Sequence, residues 1–134
     1  MSLYESRIII ENFFNFTYVT NDGMAFGINF PGGFYIFTAV SIIMTIIIIW
    51  YLWKERMGSL MVRTSLAFIL AGAIGNLIDR VLYGEVADFL DFSFWGYRWY
   101  IFNIADSSVT IGMILFIIYS IFINTPEKSV KPVI

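Results

Sequence analysis

Long uncharged runs alternate with short polar clusters along this chain. No charged residue occurs from Phe34 to Trp53, and none from Ser107 to Thr125. Between them, Thr64 to Ile78 is uncharged over 15 residues. Extended back past Arg63 to Ser59 it becomes a full span, with that arginine near one end, where its stem can lie along apolar surface while its head reaches water. A hydrocarbon core about 30 Å thick takes roughly 20 apolar residues per helix. The pattern therefore predicts three transmembrane helices, over 34–53, 59–79 and 106–124.

The first third of the chain has a different character. Ile8, Ile9 and Ile10, then Phe14 to Thr20, are rich in β-branched and aromatic residues, and Asn21-Asp22-Gly23 is a turn signal. A small sheet lying at the membrane surface is expected. The fold expected is thus an all-α membrane protein, a small transmembrane helix bundle carrying a small extracytoplasmic β element, in a single domain over 1–134.

Composition agrees with a bilayer as solvent. Of the 134 residues 59% are hydrophobic and 13% charged, and the mean hydropathy is +0.78, too apolar for an ordinary soluble domain. Charge then orients the chain. Lys54, Arg56 and Arg63 follow the first span, and Lys128 and Lys131 lie beyond the third; Arg7, Arg80 and Arg98 occupy the other side. Five basic residues against three assign 125–134 to a cytoplasmic tail and place 1–33 and the loop 80–105 outside. The basic residues are scattered rather than clustered, so no nucleic-acid partner is indicated.

The residue inventory limits the chemistry. With no cysteine and no histidine, zinc sites and Ser-His or Cys-His machinery are excluded, which leaves carboxylates, Lys, Ser/Thr and Tyr. No metal and no cofactor are expected. The carboxylates are unevenly placed: four of ten lie between 79 and 91. Asn76, Asp79 and Arg80 share a helical face at the end of the second span, and Asn103 and Asp106 repeat the Asn-x-x-Asp spacing at the start of the third. Both motifs belong to one membrane face, with Glu85, Asp88 and Asp91 between them. Ionisable groups at such a depth are expensive and tend to mark function. Two carboxylates in a partly dehydrated site can divide labour, one as base and one as acid. Spacing alone does not choose the pair among Asp79, Asp88, Asp91 and Asp106. Each motif also has a plain structural reading, as a helix cap or an Asp79-Arg80 interfacial ion pair.

Four segments, taken together, resemble a known family. These are Phe16-Thr17-Tyr18-Val19-Thr20-Asn21-Asp22-Gly23-Met24-Ala25-Phe26-Gly27, Ala71-Gly72-Ala73-Ile74-Gly75-Asn76-Leu77-Ile78-Asp79-Arg80, Val86-Ala87-Asp88-Phe89, and Phe102-Asn103-Ile104-Ala105-Asp106-Ser107. In order and spacing they are similar to the motifs of bacterial lipoprotein signal peptidase (signal peptidase II), an inner-membrane aspartyl peptidase. The resemblance implies a diacylglyceryl-prolipoprotein as substrate, cut just before the lipidated cysteine, with membrane lipid around it. It implies Asp88 and Asp106 as the catalytic pair, and Asn21, Asn76, Asp79, Arg80 and Asn103 as supporting or substrate-binding residues. Members usually have four helices, and the first, with its Asp-Gln-x-(Ser/Thr)-Lys-like end, does not appear in these residues. The alternative is therefore a truncated, non-catalytic relative that binds lipidated signal peptides or needs a partner helix. A small transporter or channel subunit would instead carry its acids in mid-helix. The small residues Ala71, Gly72, Ala73 and Gly75 suit close approach of another helix, either a neighbour in the bundle or the substrate.

Overall fold

The structure, a computed structural model, describes residues 1–21 and 32–123. The turn after Asn21 and the tail 125–134 lie outside the described residues. In chain order the elements are strands β1 (Ser6–Ile10) and β2 (Phe14–Asn21), helices α1 (Gly33–Lys54) and α2 (Leu60–Tyr83), strands β3 (Val86–Phe94) and β4 (Tyr97–Arg98), and helix α3 (Ile104–Ile118), which continues into one wider turn over Tyr119–Ile123. All three helical segments are long and apolar enough to cross a membrane.

The expectation of an all-α fold needs correction, as does that of a plain loop over 80–105. Within that segment Val86–Phe94 and Tyr97–Arg98 are strand, and they join the N-terminal hairpin in one antiparallel sheet ordered β1-β2-β3-β4. Val86 to Phe94 reads as an acidic, interrupted run because two of its buried positions are aspartates. Its partner β2 arrives from some 70 residues upstream, pairing Phe14 with Phe92, Val19 with Asp88 and Asn21 with Val86. A bulge in β2 between Phe16 and Val19 absorbs one extra residue. The β3–β4 turn uses Trp95 and Gly96, both at positive φ (46° and 83°), the backbone that a tight hairpin requires.

The helices show how a chain packs when lipid surrounds it. Ile36, Ile43, Ile46, Ile47, Ile49 and Trp50 of α1 are all exposed, and only Gly33, Thr45 and Ile48 of that helix are buried. An apolar surface all round is what lipid contact selects. A small core of Ile48, Val62 and Leu66 joins α1 to α2, flanked by Tyr51, Leu52, Ile69 and Phe116. Helices α2 and α3 approach more closely. A Cβ on Gly72 would stand 2.6 Å from Val109 Cγ2, and one on Gly112 would stand 2.6 Å from the Ser65 carbonyl and 2.7 Å from Ile69 Cγ1. Lipid supplies no hydrophobic drive between helices, so such backbone approach must be won through small residues. Of the four small residues of α2, Gly72 and Gly75 therefore face α3, Ala73 packs beside the core, and Ala71 is exposed.

Helix α2 ends where Gly84, at φ 81°, returns its N–H to the Arg80 carbonyl at 3.0 Å. That left-handed residue turns the chain directly into β3. At the other end of β3, Phe102 donates to the Leu90 carbonyl (3.1 Å), and its own carbonyl accepts from Phe89 (3.1 Å) and Leu90 (2.7 Å). The residue just before α3 is thus tied to the sheet, which brings both acidic motifs to one end of the bundle.

Replacing Gly112 by leucine is expected to force α2 and α3 apart and to cost about 1–3 kcal/mol or more, by overpacking. The thermal midpoint in detergent micelles should fall clearly, while Ile111→Leu on the exposed face should leave it unchanged. An unaltered midpoint for Gly112→Leu would contradict the close packing.

Candidate active site

Helix α3 starts with a complete capping box. Asn103 Oδ1 accepts from the Asp106 amide at 2.9 Å, and the Asp106 carboxylate accepts from the Asn103 amide at 3.2 Å. This satisfies two backbone donors that a helix start leaves without partners. It also leaves the two N–H bonds of the Asn103 side chain pointing away from the helix. One reaches Asp88 Oδ1 at 2.8 Å and the other Asn76 Oδ1 at 3.0 Å. Asn76 in turn donates to Asp106 Oδ1 at 2.8 Å. The result is a continuous chain, Asp88–Asn103–Asn76–Asp106, built from β3, α3 and α2. Asn21, at the end of β2, adds a longer bond of 3.4 Å to Asp88 Oδ2. The amides can take only this orientation, because Asn103 Oδ1 is committed as an acceptor to the cap.

Asp88 is 4% exposed and Asn103 likewise 4%. Burial, followed by the nearby negative charge of Asp106, pushes the Asp88 carboxyl up to about 6, while bonds from Asn103 and Asn21 and the charge of Arg80 work in the opposite direction. A neutral, protonated carboxyl is thereby accessible in mildly acidic to neutral water, which an ordinary aspartate does not offer.

The other acids have different surroundings. On a regular strand, residues 88 and 91 point to opposite faces, so Asp91 leaves the Asp88 side altogether. It is fully buried, paired through both oxygens with the Arg98 guanidinium, and accepts from Thr17 Oγ1 at 2.5 Å. Burial favours its neutral form, but the bonds from Arg98 and Thr17 outweigh this and hold its carboxyl below the usual aspartate value. That arrangement is a clasp across the sheet, already satisfied. Asp79 accepts from the Ala87 amide at 3.2 Å, so it pins the start of β3 to α2. The ion pair that the adjacent residues Asp79 and Arg80 suggest is not formed. Arg80 instead reaches Ser41 Oγ on α1 and the Asn76 carbonyl, each at 3.4 Å.

Sequence reasoning missed three contributors: Thr17, Arg98 and Ser41. Arg98 reads as one more basic residue of a loop, and nothing local marks it as the partner of Asp91. Ser41 sits in the middle of an apolar span, where an isolated hydroxyl is unremarkable until α2 is placed beside it. No group of three or more metal-ligating side chains occurs among the described residues. A cavity of about 400 Å³ opens between the helices beside Asp106, lined by Val40, Ser41 and Met44 of α1, Asn76 and Arg80 of α2, and Asp106 and Val109 of α3. Its walls combine apolar Val40, Met44, Ala73 and Val109 with polar Ser41, Asn76, Arg80, Asp106 and Thr110, as suits a ligand with both apolar and polar parts.

Comparison with known proteins identifies the family. The family model described as Signal peptidase (SPase) II matches residues 1–122. A lipoprotein signal peptidase of Syntrophus aciditrophicus is 45% identical over 133 residues, covering 95% of this chain and 81% of that protein. One from Alteromonas mediterranea is 46% identical, covering 96% of this chain and 71% of its own length, and one from Staphylococcus aureus is 42% identical, covering 98% and 81%. Among solved structures, a bacterial membrane enzyme determined by the in meso method at 2.3 Å superposes with a TM-score of 0.76 at 40% identity, over all of this chain and 80% of that one. On its sequence, its membrane helices and these matches, the chain belongs to the signal peptidase II family of membrane aspartic peptidases.

Proposed function

We propose that this protein removes the signal peptide of diacylglyceryl-prolipoproteins by hydrolysis just before the lipidated cysteine, with Asp88 and Asp106 as the acid/base pair and water as nucleophile. The observation that carries this reading is the bonded chain Asp88–Asn103–Asn76–Asp106, in which one carboxyl is buried and readily protonated. The family membership and the activity for which the relatives are named support the substrate class.

The chemistry follows from the division between the two acids. Ionised Asp106 takes a proton from water as the hydroxyl oxygen attacks the scissile carbonyl carbon. Protonated Asp88 donates to the carbonyl oxygen, so that a neutral tetrahedral diol forms rather than an oxyanion. On collapse the C–N bond breaks, the proton held by Asp106 passes to the leaving amine, and Asp88 recovers its own from the reforming carbonyl. One proton is carried between the two acids throughout the cycle. Asn76 and Asn103 keep the two carboxyls in place, Asp79 anchors β3, and Arg80 moderates the negative charge that Asp106 imposes on Asp88.

The cavity beside α1 is the place for the signal peptide. An apolar helix entering from lipid would run along Val40, Met44 and Val109 and end with its scissile bond at Asp106. The excess of basic residues at the other end of the bundle supports an orientation with the carboxylates at the outer face of the bacterial inner membrane.

Cleavage of a diacylglyceryl-prolipoprotein by the chain in membranes, followed by gel shift, tests the reading directly. Asp88→Asn and Asp106→Asn should each lower kcat by about 10²–10⁴-fold; wild-type cleavage by both would remove the pair from consideration. Asp79→Asn should retain measurable turnover, because it loosens β3 without removing a reacting group. A chain that binds lipidated signal peptides but never cleaves them would favour the non-catalytic alternative.

The pH dependence is a further expectation. Activity needs Asp88 protonated, so kcat/KM should fall as pH rises through about 6, approaching tenfold per unit above it. A profile that stays level from about pH 5 to about pH 8 would contradict this assignment.

A further inference from the structure

We propose that the turn between α1 and α2, at the end of the bundle away from Asp88, binds the phosphodiester of an anionic membrane lipid through Arg56 and Arg63, with Lys54 beside them. Three cations fall within ten residues of chain here. Among the described residues none of them is ion-paired, the two ion pairs of the structure being Arg7–Glu5 and Arg98–Asp91. The acid nearest in sequence, Glu55, turns its carboxylate toward Gly58 instead.

The arginines are held in position without being neutralised. Arg63 donates from one Nη to the Arg56 carbonyl at 3.2 Å, and Arg56 donates to the Trp53 carbonyl at 3.1 Å while lying 4.4 Å from the centre of the Trp53 ring. Lys54 lies 5.4 Å from the Trp50 ring. Most informative is Arg63 Nε, which is buried and has no hydrogen-bond partner. A buried guanidinium edge without an acceptor is costly. That edge, Nε with the second Nη, is the one that meets two oxygens of a phosphate in parallel.

Lipid rather than free phosphate is indicated by what surrounds the cations. Trp50 and Trp53 are 57% and 64% exposed and stand on the lipid-facing surface of α1, which continues without interruption to the turn. Indoles at the end of a span lie at headgroup level, so a phosphate reaching Arg63 would carry acyl chains that continue along α1. Orientation in the membrane explains why cations gather at this end, but not why one of them keeps a buried, unsatisfied edge.

The experiment is native mass spectrometry of the full chain released from vesicles of equal phosphatidylglycerol and phosphatidylcholine. Wild-type protein should retain phosphatidylglycerol in excess, with each cation contributing about fivefold. Arg56→Gln, whose side chain is exposed and outside the core, should reduce the excess about fivefold, and Arg56→Gln with Arg63→Gln should reduce it about 25-fold, leaving the contribution of Lys54. Equal retention of the two lipids by the wild type, or an excess that Arg56→Gln leaves intact, overturns the proposal. Thermal shift in phosphatidylcholine micelles adds two checks. Inorganic phosphate that stabilises as well as phosphatidylglycerol does would overturn the lipid assignment, and Arg56→Gln should melt with the wild type, showing that its lost excess is not lost folding.

Discussion

The side chain of Asn103 is the interaction on which the rest of the site depends. An amide offers two donors and an acceptor, and here all are engaged: the acceptor starts helix α3, one donor holds Asp88 and the other holds Asn76. A residue type usually read as a helix cap therefore also joins three separate segments of chain. An aspartate could cap as well, but it would add a third negative charge and supply no donor to the other two. An alanine would leave the buried Asp88 with only the long bond from Asn21 and the helix start without its side-chain cap, and each loss is expensive where water is scarce.

The surrounding structure exists to hold that residue and Asp88 in register. Phe102 is bonded to Leu90, so the residue before the cap cannot slide along β3. Asp79 fixes the beginning of the same strand by accepting from Ala87, and on its far face the buried Asp91, held by Arg98 and Thr17, ties β3 to β2 and β4. Below the sheet, Gly72 and Gly112 let α2 and α3 meet backbone to backbone, which is what allows Asn76 to reach Asp106. Lipid contributes nothing to that approach except its indifference, so the contact depends on shape. The polar site sits at the boundary between the two regimes, with hydrogen bonds above and small-residue packing below.

The three helices, the N-terminal strands and the gathering of polar residues at one end were legible because each is a local property. Uncharged runs such as Phe34 to Trp53 leave no alternative to a helix in lipid, and Phe14 to Thr20 has the residue types of a strand. Strand β3 was not legible. Its acids hide the alternation, and its partner β2 is distant in the chain, so an extended segment between two spans looks like a connecting loop. The same distance hid Arg98 and Thr17 as partners of Asp91, and Ser41 as a partner of Arg80.

From the sequence alone came the solvent, a bilayer, and the class of chemistry, carboxylates at one membrane face, because hydropathy and residue inventory are summed along the chain without regard to contacts. Motif order added the family. The resemblance also singled out Asp88 and Asp106, but the bonds that link them, and the separation of Asp91 and Asp79 from them, belong to the tertiary structure. Strand parity sends Asp88 and Asp91 to opposite faces, and a helix crossing set by two glycines brings Asn76 to Asp106. Both are relations between segments that meet only on folding, so no window of sequence contains them.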